Sequence, residues 1–267
     1  MSISPYLVTQ VRVAHNDDDE SVKCEICMNG DTTEEEEILL CDLCNGAVHQ
    51  SCYGRDIEYN IPDGDWFCER CNEIVATKKI PKCTLCGGLK GVMVQTDRLK
   101  WVHPICVNWM PGIYFFDAEV GKTPHMYKVG GNIDKDLVSS KCKYCGKSSG
   151  TCITCEYKNC TAHFHVYCSA MKGCIKDYQD ANELSQVENH GYCPVFCTQH
   201  ETLGTKTFKE HGYKGIKAAE HPVQSEEKIR LKKRNMKCRM KMNEDDDEEN
   251  MKYPKQFPRR KRLRRTQ

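Results

Sequence analysis

Long apolar runs are missing from this 267-residue chain, and aromatic residues make up only 8% of it. No stretch approaches the roughly 18 uninterrupted apolar residues of a membrane-spanning helix, so no membrane partner is expected. The opening MSISPYLVTQ lacks the charged start and apolar centre of a secretory signal, which argues against a secreted disulfide scaffold. There is no Gly-rich phosphate loop, and a hydrophobic content of 39% is thin for one large core, so several small units are expected. Cysteine is abundant instead: 20 of them, with 10 histidines. In a reducing compartment, cysteines spaced as Cys-x-x-Cys bind zinc.

Charge is segregated beneath a net +1. Residues 17–73 carry 17 acidic side chains against Lys23, Arg55 and Arg70, whereas residues 221–267 carry 16 basic against 8 acidic. An acidic module joined to a basic tail suggests a basic partner at one end and an acidic partner at the other.

The ligand-type residues fall into pairs that can each share an ion: Cys24/Cys27, Cys41/Cys44, His49/Cys52, Cys68/Cys71, Cys83/Cys86, His103/Cys106, Cys142/Cys145, Cys155/Cys160, His165/Cys168 and Cys197/His200. Zinc takes four tetrahedral thiolate or imidazole ligands, so these pairs supply five structural zinc ions. Cys152, Cys174, Cys193 and Cys238 are left over, and Cys152 could replace Cys155 as a ligand. Binding free energy on the order of 10 kcal/mol per structural zinc serves as folding energy, so in units this poor in apolar residues the metal is the core. Spacing alone permits two pairings in the first block. The stretch CDLCNGAVHQSC could close on one ion through Cys41, Cys44, His49 and Cys52, or each of its pairs could reach outward to a different ion. Ile38-Leu39-Leu40 and Val92-Met93-Val94 fit brief strands, and single helical turns are expected near Pro104 and Phe164, where the His-x-x-Cys pairs fall. Four protein ligands leave no open position at any ion, and His125 and His163 lack an obvious nucleophile or acid partner, so no enzyme is expected.

The first eight ligands run as four cysteines, a histidine and three cysteines, with Trp66 two residues before the seventh. This resembles a PHD finger. The knuckle Cys83, Cys86, His103, Cys106 follows directly, and the block from Cys142 to His200 resembles an extended PHD finger, whose last pair is Cys-x-x-His. Phrases such as ILLCDLCNGAVHQSCYG, WVHPICVNWMPGIYF and CEYKNCTAHFHVYCS are similar to the PHD–zinc knuckle–extended PHD cassette of bromodomain-PHD, Jade and AF-type leukaemia-fusion chromatin proteins. The resemblance implies small zinc-stabilised α+β modules. These are a PHD finger (21–75), a zinc knuckle (76–112) and an extended PHD finger (113–202), while composition alone reads residues 1–20 as a disordered acidic lead-in and residues 203–267 as a charged, largely disordered tail. It also implies a cross-brace, with Cys24, Cys27, His49 and Cys52 on one ion and Cys41, Cys44, Cys68 and Cys71 on the next. The later sets are Cys83, Cys86, His103 and Cys106; Cys142, Cys145, His165 and Cys168; and Cys155, Cys160, Cys197 and His200.

By the same resemblance, a histone H3 tail adds as a strand beside Ile38, Leu39 and Leu40. Asp42 accepts from the tail's second-position arginine, and the loop Pro62, Asp63, Gly64 before Trp66 receives its amino terminus. Glu36 and Glu37 replace the aromatic cage that a trimethylated lysine needs, which favours an unmodified lysine at H3 position 4. Trp66 is expected to be a packing residue. Lys141, Lys143, Lys147 and Lys158 could contact nucleosomal DNA. The basic run Arg259, Arg260, Lys261, Arg262, Arg264, Arg265 reads as a nuclear localisation signal or a DNA-contacting arm. The expectation is therefore a nuclear chromatin reader that recruits or positions a histone-modifying complex. A nucleic-acid-binding zinc protein and a RING-type E3 ubiquitin ligase are the alternatives.

Overall fold

The structure is a computed structural model that describes residues 4–14, 22–33, 36–54, 57, 61, 63–115, 129–131, 133, 138, 140–175 and 194–212. Among the described residues, four two-stranded antiparallel sheets recur along the chain, three of them in the ligand-bearing segments. In the first finger, β1 (Ile38–Leu40) pairs with β2 (Ala47–His49), Leu39 opposite Val48. The short helix α2 (Gln50–Tyr53) follows at once, and α3 (Glu69–Thr77) closes the unit. The knuckle contributes β3 (Val94–Gln95) against β4 (Trp101–Val102), then α4 (Pro104–Trp109). Next come β5 (Ile113–Phe115) with β6 (Val129–Gly131) and β7 (Ile153–Thr154) with β8 (His163–Phe164). The helix α5 (Val166–Ala170) follows β8.

Two local devices build these units. In four Cys-x-x-Cys turns, the residue after the second cysteine is left-handed and donates its N–H to the first cysteine's carbonyl: Met28 to Cys24, Asn45 to Cys41, Gly87 to Cys83 and Gly146 to Cys142. Each turn therefore aims two thiols the same way. In three His-x-x-Cys pairs, the histidine (His49, His103, His165) is the residue just before a helix, and the cysteine sits on that helix's first turn. Pro104 at the first position of α4 suits this start, since its missing N–H would have had no helical partner.

Sequence expectations need three adjustments here. The strand expected over residues 92–94 is Val94–Gln95, because Val92 spends its N–H on the Glu25 carboxylate instead of a ladder. The lead-in expected to be disordered contains a helix, α1 (Pro5–Val11). Val11 is fully buried, and the Val13 N–H donates to the Cys44 carbonyl at 2.7 Å, so apolar burial anchors the segment to the first finger. The tail expected from residue 203 begins inside α6 (Glu201–His211), whose Phe208 is buried and whose Gly204 lies against the Phe196 ring.

The three modules meet at a buried junction around Glu25. Glu25, between two ligands of the first finger and 3% exposed, accepts the Val92 N–H of the knuckle at 3.0 Å and the Tyr167 hydroxyl of the extended finger at 3.2 Å. Tyr167 stacks on the His103 ring at 4.2 Å. Arg70, fully buried on α3, donates to the Leu89 carbonyl of the knuckle. Gly91 has φ +82° and no room for a side chain: a Cβ there would lie 2.2 Å from the Tyr167 hydroxyl and 2.5 Å from Glu25 Oε2.

Candidate metal centres and the exposed sheet edge

Five groups of four ligand atoms converge, each with all its atoms within 4.8 Å of one another. They are Cys24, Cys27, His49, Cys52; Cys41, Cys44, Cys68, Cys71; Cys83, Cys86, His103, Cys106; Cys142, Cys145, His165, Cys168; and Cys155, Cys160, Cys197, His200. The first finger is thus cross-braced, and CDLCNGAVHQSC divides between two clusters.

The spacing fits zinc. Tetrahedral bonds of about 2.3 Å to sulfur and about 2.05 Å to nitrogen put ligand atoms about 3.8 Å apart for two sulfurs and about 3.6 Å for sulfur and nitrogen. Sulfur to Nδ1 distances are 3.3 and 3.8 Å around His49, 3.4 and 3.6 Å around His103, 3.4 and 3.7 Å around His165, and 3.7 and 3.5 Å around His200. Cys44 and Cys68 sulfurs are 3.9 Å apart, and those of Cys160 and Cys197 4.0 Å. Every histidine offers Nδ1. His49 and His103 donate from Nε2 to the Asp31 and Lys90 carbonyls at 2.8 and 2.7 Å, which orients each ring toward its metal. Backbone N–H groups also reach the thiolates, among them His49 to Cys24 at 3.3 Å, Cys68 to Cys41 at 3.3 Å and Cys197 to Cys155 at 3.2 Å. These are five clusters suited to Zn2+.

In the first cluster the electrostatics favour a positive charge at the ligand histidine. Burial pulls the His49 pKa down, but hydrogen bonds to Cys27 and Cys52 and their charges outweigh it and raise the group to about 10. A proton there marks the place that a metal takes over. Arg70 behaves similarly: burial opposes its charge, yet the Cys44, Cys71 and Cys68 thiolates hold it above its ordinary value. A four-cysteine zinc site carries net negative charge, and this buried guanidinium offsets part of it. At the junction, burial raises the Glu25 carboxyl, against hydrogen bonds from Val92 and Tyr167 and the charges of His103 and Arg70, which lower it.

Cys155, not Cys152, completes the fifth cluster. Cys152 is fully buried, contacts the Ser140 carbonyl at 3.4 Å, and is pushed to about 12 by burial and by the Cys142 and Cys145 charges. His163 pairs with the Thr154 hydroxyl at 3.2 Å. Cys193, Cys238, His125, Pro62 and the basic run from Arg259 to Arg265 lie outside the described residues.

Among the described residues β1 pairs with β2 alone. Ile38, Leu39 and Leu40 are half-buried, while Asp42, Asp63 and Gly64 are exposed. Asp42 is not a loose carboxylate. It accepts the Trp66 N–H at 2.8 Å while its own N–H donates to the Trp66 carbonyl at 2.9 Å. Trp66 meets Tyr53 edge-on at 5.4 Å. Glu36 is also engaged, accepting the Ser51 N–H and hydroxyl at 3.1 and 2.9 Å, and the Glu37 N–H donates to the Gln50 side chain at 3.2 Å. Lys141, Lys147 and Lys158 are exposed. Lys143 is exposed too, but its ammonium lies against the fifth cluster. Sequence reasoning missed Glu25, Arg70, Tyr167 and that lysine contact. The one available signal was an acid inside a ligand spacer, and it names no partner.

Similarity to known proteins follows the same division. A PHD-finger model matches residues 24–71, and a model described as a PHD-zinc-finger like domain matches residues 81–202. Protein Jade-1 of Bos taurus is 34% identical over 198 residues, spanning 73% of this chain and 37% of that protein. A bromodomain-containing protein homolog of Drosophila melanogaster is 34% identical over 182 residues, 66% of this chain and 12% of that protein. The chain therefore spans well under half the length of these relatives. The crystal structure of zebrafish PHF14-PZP is 23% identical, with a TM-score of 0.47 over 73% of this chain and 99% of that one. Residues 24–71 are a PHD finger and residues 81–202 a PHD-zinc-finger like domain, and together they make a PHD–zinc knuckle–extended PHD cassette.

Proposed function

We propose that the first finger is a chromatin reader for the N-terminal tail of histone H3, with an unmodified lysine at position 4. The observation that carries the reading is the outer edge of β1, which pairs only with β2 among the described residues and runs into exposed Asp42. A peptide strand added there gains backbone hydrogen bonds, and side-chain pockets supply selectivity. One oxygen of Asp42 is held by the Trp66 N–H, so the carboxylate is preoriented for an arginine at the tail's second position. Glu36 and Glu37 supply negative charge for an ammonium, while Asp63 and Gly64, with Pro62, border the tail's amino terminus. Exposed Lys141, Lys147 and Lys158 would add weak, salt-dependent DNA contacts. Four donors complete a tetrahedral shell at each zinc, so the metals support folding, and the reading is of a binding protein rather than an enzyme. Work in the nucleus, in the service of a histone-modifying complex, completes the proposal.

The test is titration of the zinc-loaded chain with H3 tail peptides. The unmodified peptide is expected to bind best, and Asp42→Ala to weaken it by more than about 1 kcal/mol, as for loss of a charged hydrogen bond. Preference for the trimethylated peptide would overturn the specificity. DNA binding that survives loss of the first finger, with no H3 binding at all, would favour a nucleic-acid-binding zinc protein. Autoubiquitination by the zinc-loaded chain would favour a ligase.

A further inference from the structure

The fourth and fifth metal clusters meet through the residues that separate their ligands. Lys143 and Tyr144 lie between Cys142 and Cys145, and Thr198 and Gln199 lie between Cys197 and His200. The Tyr144 hydroxyl accepts the Thr198 N–H at 3.0 Å. The Lys143 ammonium donates to Gln199 Oε1 at 2.8 Å and stands 3.8 Å from the Cys197 sulfur. Its backbone is fixed as well, since the Lys143 N–H donates to the His163 carbonyl at 2.8 Å. Three thiolates and a neutral imidazole around Zn2+ leave the fifth site with a net negative charge. An ammonium in contact with one of those sulfurs offsets it and draws electron density from that thiolate.

We propose that Lys143 is a positioning residue of the fifth zinc site. Its ammonium balances the Cys197 thiolate and, together with the Tyr144 hydroxyl, holds the turn from Cys197 to His200 in ligating geometry across the gap between two clusters. An ammonium engaged by a thiolate and an amide oxygen is a poor phosphate contact, which removes Lys143 from the lysines expected to meet DNA. Lys141, Lys147 and Lys158 stay in that set.

The test compares the full, zinc-loaded chain with its Lys143→Met and Lys143→Arg variants. Zinc release to a colorimetric chelator is followed alongside alkylation of each cysteine by N-ethylmaleimide, resolved by mass spectrometry. In Lys143→Met, one zinc equivalent is expected to leave on the order of tenfold faster, with Cys197 alkylated early and the other four clusters unchanged. Lys143→Arg should restore most of the wild-type rate. Gln199→Ala keeps every ligand and the lysine's charge but removes its anchor, so it should shift the same zinc in the same direction by less, which covers the case of a poorly folding Met variant. Duplex DNA affinity should be unchanged by Lys143→Met and reduced by Lys147→Met. Wild-type zinc release and Cys197 alkylation in both Lys143→Met and Gln199→Ala would overturn the proposal. So would a loss of DNA affinity in Lys143→Met with all five zincs held as in the wild type.

Discussion

Replacing Tyr167 by Phe removes one hydroxyl from the point where the three modules meet. The ring can stay stacked on His103 at 4.2 Å, so little packing is lost. What disappears is the hydrogen bond to Glu25 Oε2 at 3.2 Å, which leaves a carboxylate that is 3% exposed with the Val92 N–H as its remaining partner at that oxygen. Removing a partner from a buried charged group costs about 1.5–3 kcal/mol, or roughly 10- to 150-fold in an opening equilibrium. Amide hydrogen exchange on the zinc-saturated chain reads this directly, because the Val92 N–H is protected by the same carboxylate. Val92 exchange is expected to accelerate at least about tenfold in Tyr167→Phe, while the amides of β1 and β2 keep their wild-type protection. Glu25→Gln retains an acceptor and should accelerate it less. Wild-type exchange at Val92 in Tyr167→Phe would refute the reasoning. A uniform acceleration that included β1 and β2 would do so too, since it would mean global rather than junctional opening.

Two further predictions test metal assignment and packing. Cys155→Ser is expected to drop the zinc content by one equivalent in native mass spectrometry, while Cys152→Ser keeps all five; the reverse result would reinstate Cys152 as the ligand. In Gly204→Ala, the added methyl would sit 2.5 Å from the Phe196 ring. Overpacking of about 1–3 kcal/mol should outweigh the roughly 1 kcal/mol that alanine gains over glycine in a helix. Urea denaturation at fixed free zinc should therefore show net destabilisation.

The metal centres were legible because zinc chemistry is local. Two ligands three positions apart on one turn can share an ion whatever surrounds them, and pairs of that kind account for nearly all of the ligands. The helices after His103 and His165 were legible for the same reason, whereas the one after His49 was not anticipated. Strand limits were harder. Val92 has the β-branched side chain of a strand residue, but its N–H is claimed by Glu25, 67 residues earlier. The lead-in looked disordered from its acidic run, yet Val11 and Val13 find apolar cover on the first finger. Glycines hid a similar fact: nothing in the sequence says that Gly91 must leave room for Tyr167 and Glu25.

The sequence by itself determined the number and type of the metal centres, and hence the kind of module, because ligand spacing, donor chemistry and a shortage of apolar residues leave metal as the only adequate core. Tertiary structure decided which pairs share an ion, with Cys41 and Cys44 joined to Cys68 and Cys71 while His49 and Cys52 turn back to Cys24 and Cys27. It also decided where the charges between modules go. Glu25, Arg70 and Tyr167 meet across modules only when separately folded units come together, and Lys143 meets Gln199 and Cys197 only when distant parts of the extended finger close up, since burial and Coulomb attraction depend on distance in space rather than along the chain.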